Sequence, residues 1–309
     1  MAKIIGPGSL NIDITGYVPH LPKDGETTVG TALRITPGGK GNNQMTAAQR
    51  AGAEAYIIAC RGEDILGKTL EEHYKNEGMS EKYITPTDEY ETGSALIEID
   101  GESAQNRIIV IPGANKRVGK EEVYAAEADF SDCDAVLTQF ETTTDAVIAS
   151  KELAEKYKKP FILNPAPYIE VPPSLFLGVD YITPNETETE ELTGIAVKTT
   201  DDCRAAARVI LDMGVKNVII TRGVEGVYYT DGKTEITVPA IKMKAIETTG
   251  AGDAFNGGFA TAVAEGKPIK YALEFATCTA AISVTRLGSC QSMPSRAEIL
   301  ELMQKHFTE

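Results

Sequence analysis

Residues 247–258 read Glu-Thr-Thr-Gly-Ala-Gly-Asp-Ala-Phe-Asn-Gly-Gly, a glycine-rich turn that leads into an alanine-rich stretch with helical character. The glycines allow several backbone N–H groups to point at one position, and the positive end of the following helix dipole adds to them. Such a turn is typical of a site for an anion such as a phosphate. Its aspartate, Asp253, can remove a proton from an attacking hydroxyl or simply cap the helix. The stretch therefore indicates either phosphoryl transfer or a capped helix.

The length and charge of the chain limit the classes of protein it can belong to. Its 309 residues are enough for one large α/β domain or two ordinary ones. A net charge of -15 disfavours nucleic acid and anionic membranes as partners, and we expect neither. A phosphate site in this chain must therefore be local, built from backbone amides, helix ends and bound cations.

The cysteines and the apolar runs bear on the compartment. The five cysteines are widely spaced and form no C-x-x-C pair, which argues against a zinc ribbon or a secreted disulfide framework. The first residues lack the pattern of a secretory signal, and no apolar run approaches the roughly 18 residues of a spanning helix. We therefore predict a cytoplasmic protein.

Short β-branched runs alternate with amphipathic segments along most of the chain. This rhythm predicts the α/β class, with an open, mostly parallel sheet flanked by helices. No linker or internal repeat interrupts it, so we predict a single domain over residues 1–309. The predicted strands are residues 3–5, 55–59, 135–137, 161–163, 181–182, 218–220 and 227–230, and the predicted helices are 41–51, 69–76, 143–157, 186–192, 201–213 and a consecutive series over 251–307.

Two regions break the rhythm, because residues 12–36 and 92–110 alternate like strands with turn residues but no helix between them. They are either ordinary edge hairpins or a small separate β-sheet. We predict that they form a β-sheet lid that closes over a substrate and excludes water. Exposed sheet edges favour pairing, so we also predict a homodimer through this lid.

Residues 37–44 read Pro-Gly-Gly-Lys-Gly-Asn-Asn-Gln and open a predicted helix. The segment is not a P-loop, because Gly41 stands where Ser or Thr is required and Arg34 stands at the upstream glycine position. The glycines permit close approach of the backbone to a ligand. Lys40 and Asn43 offer hydrogen-bond donors to a hydroxyl-rich ligand.

Acids and amides also follow predicted strands. Asn11 and Asp13 lie on one face at the end of the first strand, where they suit sugar hydroxyls but are also common turn formers. The last glycine of a dinucleotide fingerprint is replaced by Asn11, which argues against a nicotinamide oxidoreductase. Glu141 ends another apparent strand, at the edge where open α/β sheets bind ligands.

Two further segments each have two interpretations. Asn185 and Glu188 lie three residues apart where a helix begins, which fits a capping box or a pair that organises water-bound magnesium near phosphates. Residues 221–226 follow a strand and could pack against adenine or merely turn the chain.

Taken in order, these segments resemble the ribokinase-like, or PfkB-type, carbohydrate kinases over nearly the whole chain. The shared motifs are Gly-Gly-Lys-Gly at 38–41, Pro-Gly-Ala-Asn at 112–115, Leu-Asn-Pro-Ala-Pro at 163–167, Ile-Thr-Pro-Asn-Glu-Thr-Glu at 182–188, Thr-Thr-Gly-Ala-Gly-Asp at 248–253 and Thr-Arg-Leu-Gly at 285–288. The resemblance implies a ribokinase-like fold with a small lid. It also implies transfer of the γ-phosphate of MgATP to the 5-hydroxyl of D-ribose.

The resemblance also implies roles for individual residues. Asp253 would be the catalytic base, beside an anion hole made by the amides of Gly250, Ala251, Gly252 and Asp253. The sugar-binding residues would be Asn11, Asp13, Gly39, Lys40, Asn43, Glu141 and Asp253. The ATP-binding residues would be Asn185, Thr221, Gly223, Gly226 and Gly252, with Asn185 and Glu188 ordering Mg²⁺. A K⁺ site beside the anion hole would involve Glu247, Thr249, Ser283, Arg286, Gly288 and Ser292.

Two positions depart from the family pattern. Glu247 stands where an aspartate is expected. Asn42 replaces a small residue directly after the Gly-Gly-Lys-Gly segment at residues 38–41, here called the sugar loop.

Two other functions remain open. One alternative is another kinase of this family that acts on a nucleoside, a sugar phosphate or a different sugar. No arginine cluster accompanies the sugar loop to bind a second phosphate. The other alternative is a non-catalytic sugar or nucleotide sensor, in which the base or the anion hole would be lost, although Asp253, Gly250 and Gly252 are all present.

Overall fold

The computed structural model describes residues 1–101 and 105–307. Its strands are β1 Lys3–Pro7, β2 Asn11–Val18, β3 Ala32–Gly38, β4 Glu54–Gly62, β5 Ile84–Thr87, β6 Gly93–Asp100, β7 Asn106–Ile111, β8 Ala135–Thr138, β9 Phe161–Leu163, β10 Tyr181–Ile182, β11 Val218–Thr221, β12 Val227–Thr230 and β13 Glu235–Val238. Its α-helices are α1 Lys40–Ala51, α2 Ile65–Glu77, α3 Lys120–Ala125, α4 Glu127–Asp132, α5 Thr144–Tyr157, α6 Glu186–Thr193, α7 Thr200–Asp212, α8 Ala251–Ala264, α9 Ile269–Ser283 and α10 Arg296–Phe307. Short 3-10 helices lie at Gly113–Arg117, Pro173–Leu175, Gly223–Glu225 and Cys290–Ser292.

The larger sheet runs in the order β13-β12-β11-β10-β9-β8-β1-β4-β5 through the described residues. All pairings from β11 to β5 are parallel, and β12 and β13 add an antiparallel edge. Neighbouring side chains on its strands enter opposite cores: Ile4 packs into one hydrophobic cluster and Ile5 into the other. Helices α1, α8, α9 and α10 cover the first face, and α3, α4, α5 and α7 cover the second. A sheet buried on both faces explains the continuous apolar runs, and the predicted fold class is confirmed.

The predicted elements are present, with differences at their ends. Helix α2 begins at Ile65 rather than at residue 69, because the Asp64 side chain caps it by accepting a hydrogen bond from Gly67 N–H. The short helices α3 and α4 and the edge strands β5 and β13 were not predicted. Each is too short to produce a clear sequence period. Within the described part of the chain, no helix combines the length and apolar character needed to cross a membrane.

A second sheet, in the order β3-β2-β6-β7, is built from the two regions that break the α/β rhythm. Strands β2 and β3 form one antiparallel hairpin and β6 and β7 form another. The two hairpins join through parallel pairing of β2 with β6. Residues 102–104 of the predicted range 92–110 lie outside the described residues. The two separate regions thus share one small sheet.

Helices α1 and α8 cross at a very short distance. A Cβ atom added to Gly257 of α8 would lie 2.5 Å from both Ala47 Cβ and the carbonyl oxygen of Gln44 on α1. Only a residue without a side chain allows the two helices to approach this closely. The contact brings the first turns of α1 and α8, which carry the predicted site, to the same edge of the sheet.

Replacing Gly257 with alanine should destabilise the fold. The added methyl group overlaps the backbone of α1, so the free energy of unfolding should fall by about 1–3 kcal/mol. Urea denaturation of the purified variant measures the change. Gly252→Ala on the same helix is the matched control, because its added Cβ meets no atom within 4 Å. If both variants unfold at the urea concentration of the parent protein, the close packing of α1 on α8 is wrong.

Candidate active site

The predicted site residues converge where the chain order of the large sheet reverses. Strand β1 is flanked by β4 on one side and by β8 on the other. The chain adds β4 and β5 on the first side and then β8 and all later strands of this sheet on the second. The crevice between β1 and β8 is the usual ligand position in an open α/β sheet. Glu141, which follows β8, accepts hydrogen bonds there from Ser9 Oγ and from the backbone N–H of Lys40 at 2.9 Å. These bonds connect the loop at residues 38–41 to the segment that follows β8.

Asp253 lies in the first turn of α8 and is buried. Each carboxylate oxygen accepts one amide hydrogen bond: Oδ2 from Asn43 Nδ2 at 2.9 Å and Oδ1 from Gln44 Nε2 at 3.0 Å. Burial raises the pKa of Asp253, and the charge of Lys40 and the two amide bonds offset part of that effect. The site therefore holds a carboxylate of raised basicity in a fixed orientation.

The turn before Asp253 carries the four backbone amides predicted to hold an anion, and one of them is engaged, because Ala251 N–H donates to Thr248 O at 3.2 Å. Gly250 caps the helix in the left-handed region with φ 81°, which favours glycine, and α8 starts at Ala251. Among the described residues, none accepts a hydrogen bond from the N–H of Gly252 or of Asp253. These donors and the helix dipole favour an anion at this position.

Lys40 is the cation of the site. It begins α1 directly after Gly39, the N-cap residue of the helix. Burial lowers the pKa of Lys40, but the carboxylates of Asp253, Glu141 and Glu188 outweigh it, and the net pKa lies above the ordinary value. The side chain therefore stays charged and balances part of the surrounding negative charge.

Asn11 and Asp13 lie on one face, as expected, but on β2 rather than at the end of the first strand. Strand β1 already ends at Pro7, and Gly8 and Ser9 separate the two strands. Asn11 Oδ1 accepts a hydrogen bond from Asn115 Nδ2 at 2.7 Å. Asp13 Oδ2 accepts one from Ser289 Oγ at 3.3 Å. The small sheet, not the large one, thus presents this part of the site.

The pKa of Asp13 is raised to about 6, chiefly by burial. The hydrogen bond from Ser289 lowers it, and the negative charges of Glu141, Asp253 and Glu247 raise it further. The structure therefore gathers several carboxylates around one lysine.

Several residues that support the site were not predicted from the sequence. Cys290 is fully buried, and its Sγ donates to Asn43 Oδ1 at 2.8 Å and accepts from Asn42 Nδ2 at 3.0 Å. The unusual Asn42 therefore pairs with a cysteine distant in sequence. Ser9, Gln44, Asn115, Gln139 and Ser289 were also missed, although Gln139 could have been found because it directly follows a buried strand.

Asn185 and Glu188 form the capping box that the sequence left open. Asn185 N–H and Nδ2 donate to the two carboxylate oxygens of Glu188 at 2.9 and 3.0 Å, and Glu188 N–H donates to Asn185 Oδ1 at 2.8 Å. Burial raises the pKa of Glu188, while its bond to Asn185 N–H and the charge of Lys40 lower it in part. Thr221 lies beside Asn185, and its N–H donates to Pro184 O at 3.0 Å. Gly223 and Gly226 flank the 3-10 turn that follows.

Some of the predicted cation-site residues are brought together. Glu247 Oε2 accepts a hydrogen bond from Gly288 N–H at 2.9 Å, and Glu247 N–H donates to Val284 O at 3.2 Å. Ser283 ends α9 immediately before this segment, whereas the Arg286 guanidinium pairs with Glu298. Within the described residues, no hydrogen bond joins Thr249 or Ser292 to Glu247. Across residues 1–101 and 105–307, no group of three or more His, Cys, Asp or Glu side chains could hold a metal ion.

Comparison with known proteins places this geometry in a family. Residues 1–296 match the model of the pfkB family of carbohydrate kinases. The chain is 40% identical over 298 residues to a ribokinase from Haemophilus influenzae, covering 96% of this chain and 97% of that protein. It is 35% identical over 297 residues to a deoxyribokinase from Salmonella typhi, with the same coverage. A solved structure of an Arabidopsis thaliana ribokinase complexed with ribose and ATP is 30% identical, with a TM-score of 0.93 and full coverage of both chains.

The raised pKa of Asp13 predicts that Asp13→Asn stabilises the protein near neutral pH. A carboxyl with a pKa of about 6 in the folded state, against an ordinary 3.8, has its ionised form disfavoured by about 3 kcal/mol. This burden is present above the folded pKa and disappears as the pH falls towards the unfolded value. The gain in unfolding free energy should therefore reach at most about 3 kcal/mol near pH 7.5 and vanish near pH 4.

Urea denaturation of parent and variant across this pH range measures the gain. Asp24→Asn is the control, because Asp24 is an exposed aspartate in the loop between β2 and β3. A gain that does not depend on pH would contradict the assigned burial of the Asp13 charge.

Proposed function

Because the chain belongs to the PfkB family of carbohydrate kinases, we propose that it acts as a ribokinase, transferring the γ-phosphate of ATP to the 5-hydroxyl of D-ribose. The observation that carries this proposal is the buried Asp253 carboxylate, fixed beside a helix N-terminus and adjacent to a set of polar groups suited to a sugar. The similarity to a ribokinase complexed with ribose and ATP supports the choice of both substrates.

The sugar would lie between the small sheet and the first turn of α1. Asp13 and Glu141 would accept hydrogen bonds from ring hydroxyls, and Lys40 and Asn43 would donate them. Asn11, held by Asn115, and the backbone at Gly39 complete the set. Asn43 also donates to Asp253, so the group that binds the sugar is directly connected to the base.

Asp253 would remove the proton of the 5-hydroxyl as that oxygen attacks the γ-phosphorus. Its raised pKa suits a general base better than that of an exposed carboxylate. Among the described residues, each of its carboxylate oxygens accepts one side-chain hydrogen bond, which leaves a lone pair free for the proton. The amides of Gly250, Ala251, Gly252 and Asp253 would hold the transferred phosphoryl group and its developing charge.

The nucleotide would lie along the ends of β10 and β11, near Asn185, Thr221, Gly223, Gly226 and Gly252. Both oxygens of Glu188 already accept bonds from Asn185, so the pair fits Mg²⁺ held through water rather than by direct ligation. When bound, Mg²⁺ would neutralise phosphate charge, while the protein orders the surrounding water.

The segment around Glu247 fits a monovalent cation bound largely by oxygen atoms. One oxygen of Glu247 is engaged by Gly288, and its charge adjoins the start of α8. Carbonyls near Thr249, Ser283, Arg286, Gly288 and Ser292 would supply the remaining ligands. When bound, K⁺ would add positive charge beside the phosphate cradle.

A coupled ADP-release assay tests the proposed reaction. The panel is ribose, 2-deoxyribose, fructose, fructose 6-phosphate and adenosine, each with MgATP and with or without K⁺. We expect turnover to be highest on ribose and to be stimulated by K⁺. Highest turnover on 2-deoxyribose, the alternative favoured by similarity to a deoxyribokinase, would keep the chemistry and correct the substrate. No turnover on any compound would favour a non-catalytic sensor.

Asp253→Asn should lower kcat on the best substrate by roughly 10²–10⁴-fold, because the amide cannot take the proton. Sugar affinity, measured by calorimetry, should change little, because Asp253 is one of several sugar-binding groups. Asp180→Asn, at the opposite end of the strands, is a control for loss of an aspartate charge. Unchanged kcat in Asp253→Asn would refute the assigned base.

We also propose that the chain is a single kinase domain whose small sheet is a lid and pairs with a second copy. One face of this sheet carries exposed apolar side chains that are neighbours across the strands: Leu33, Ile35, Leu96 and Ile109. Contiguous exposed apolar groups of this kind favour an interface. The five cysteines are free and buried, which supports the expected cytoplasmic location.

The lid interface predicts the effect of charge on this face. Ile35→Lys combined with Ile109→Lys should convert a dimer to a monomer, because two ammonium groups would have to be buried in the interface. Size-exclusion chromatography with light scattering measures the mass. Leu177→Lys places the same charge at an exposed leucine far from the lid and should leave the dimer intact. A parent protein that is already monomeric at micromolar concentration would refute the interface.

A further inference from the structure

Three adjacent strands of the large sheet end in a buried polar side chain. Gln139 directly follows β8, Asn164 directly follows β9, and Thr183 directly follows β10. All three side chains are buried. Most buried polar groups find hydrogen-bond partners inside the protein. In this layer Gln139 Oε1 has none among the described residues.

Gln44 of α1 lies at the centre of this layer and is fully buried. Its Nε2 donates to both Asp253 Oδ1 and Asn164 Oδ1, each at 3.0 Å. Its Oε1 accepts from Gln139 Nε2 at 2.6 Å. Both ends of the Gln44 amide are therefore engaged.

The contacts with Asp253 and Asn164 define a single direction for the Gln44 amide. Reversing it would place Oε1 against the Asp253 carboxylate and against Asn164 Oδ1. Gln139 does not set this direction, because its own Oε1 has no hydrogen-bond partner among the described residues and its amide can reverse together with that of Gln44. Asn164 cannot reverse to compensate without loss, because its Nδ2 donates to Thr183 O at 3.0 Å. The neighbours thus hold a hydrogen-bond donor towards Asp253.

The same layer continues to the phosphate cradle. Thr183 Oγ1 donates to Asn256 Oδ1 at 2.6 Å, and Asn256 Nδ2 donates to Gly252 O at 2.9 Å. Asp253 and the carbonyl of the preceding residue are therefore two ends of one buried network. This network fixes the base relative to the amides that would hold the phosphoryl group.

We propose that Gln44 is a positioning residue for the transfer step, whose amide, directed by Asn164, holds the Asp253 carboxylate in line with the attacking hydroxyl. This inference rests on the role proposed above for Asp253. The other donor to Asp253, Asn43, is also expected to bind the sugar and must serve both groups. Gln44 is fully buried and is not expected to contact the sugar. It therefore holds Asp253 in place before the sugar binds.

The first test replaces Gln44 with leucine and with methionine, which matches its length more closely. Loss of a hydrogen bond to a charged group should lower kcat by about 10–100-fold. The KM for the sugar should stay within about threefold, because the removed amide hydrogen-bonds the base, Asn164 and Gln139 rather than the sugar groups. Gln49→Leu is the matched control, because Gln49 is on the same helix and caps Ala55 N–H outside the network. Circular dichroism confirms that each variant is folded.

The second test, Gln44→Glu, separates positioning from packing. A second carboxyl against Asp253 would raise the pH at which the base ionises, so the acidic limb of the kcat profile should move to higher pH. Above that limb, a positioning role predicts that kcat stays lowered, because the donor to Asp253 is gone, whereas a role in packing alone predicts recovery towards the parent value, because the side chain keeps its size.

The outcomes distinguish this inference from the proposed function. If the parent protein phosphorylates a sugar but folded Gln44→Leu and Gln44→Met keep kcat within about threefold, the positioning role is overturned. If both Gln44 variants change KM and kcat by the same factors as Gln49→Leu does, the effect is structural and the inference is also overturned. If the parent protein phosphorylates no sugar, the proposed function itself is wrong.

Discussion

The burial of the Asp253 carboxylate is the constraint on which the site depends. A buried charge needs compensating partners, and among the described residues Asp253 has no ion pair within 4 Å. It relies instead on two side-chain amides and on the nearby charge of Lys40. Those amides come from consecutive residues of α1, so the first turn of α1 must lie against the first turn of α8. The absence of a side chain at Gly257 makes that approach sterically possible.

The amides are useful only if they point in the right direction, and each is directed from a different side. Cys290 donates to the oxygen of Asn43, which turns the nitrogen towards Asp253. Burial, together with the charges of Asp13 and Asp253, raises the pKa of Cys290, so the sulfur keeps the proton that it donates. Asn164 performs the same task for Gln44, because its oxygen accepts from the Gln44 nitrogen that also donates to Asp253. The orientation of one carboxylate thus depends on segments that are distant in sequence.

Sequence patterns predicted the parts of this site that are local. The turn around Asp253, the loop at Lys40 and the helix start at Asn185 each carry their glycines, acids and caps within a few residues, and the runs of β-branched residues located the strands. Cys290 and Gln139 could not be assigned in this way, because their roles depend on partners 247 and 95 residues away. The parallel pairing of β2 with β6 was missed for the same reason, since alternation identifies a strand but not its neighbour. Asn11 and Asp13 were assigned to the wrong strand because the break at Gly8 and Ser9 does not change the apolar pattern.

The electrostatics of the site favour binding of the proposed nucleotide together with cations. Glu141, Glu188 and Asp253 surround Lys40, and the chain as a whole carries a charge of -15. These carboxylates would repel a bare nucleotide triphosphate bound beside them, because like charges repel. Backbone amides at the start of α8 offset part of the repulsion, but they supply partial charges only. Binding of the donor as a magnesium complex, with a further cation beside Glu247, would reverse the local balance. The negative charge of the carboxylates around Lys40 would then no longer oppose the phosphate.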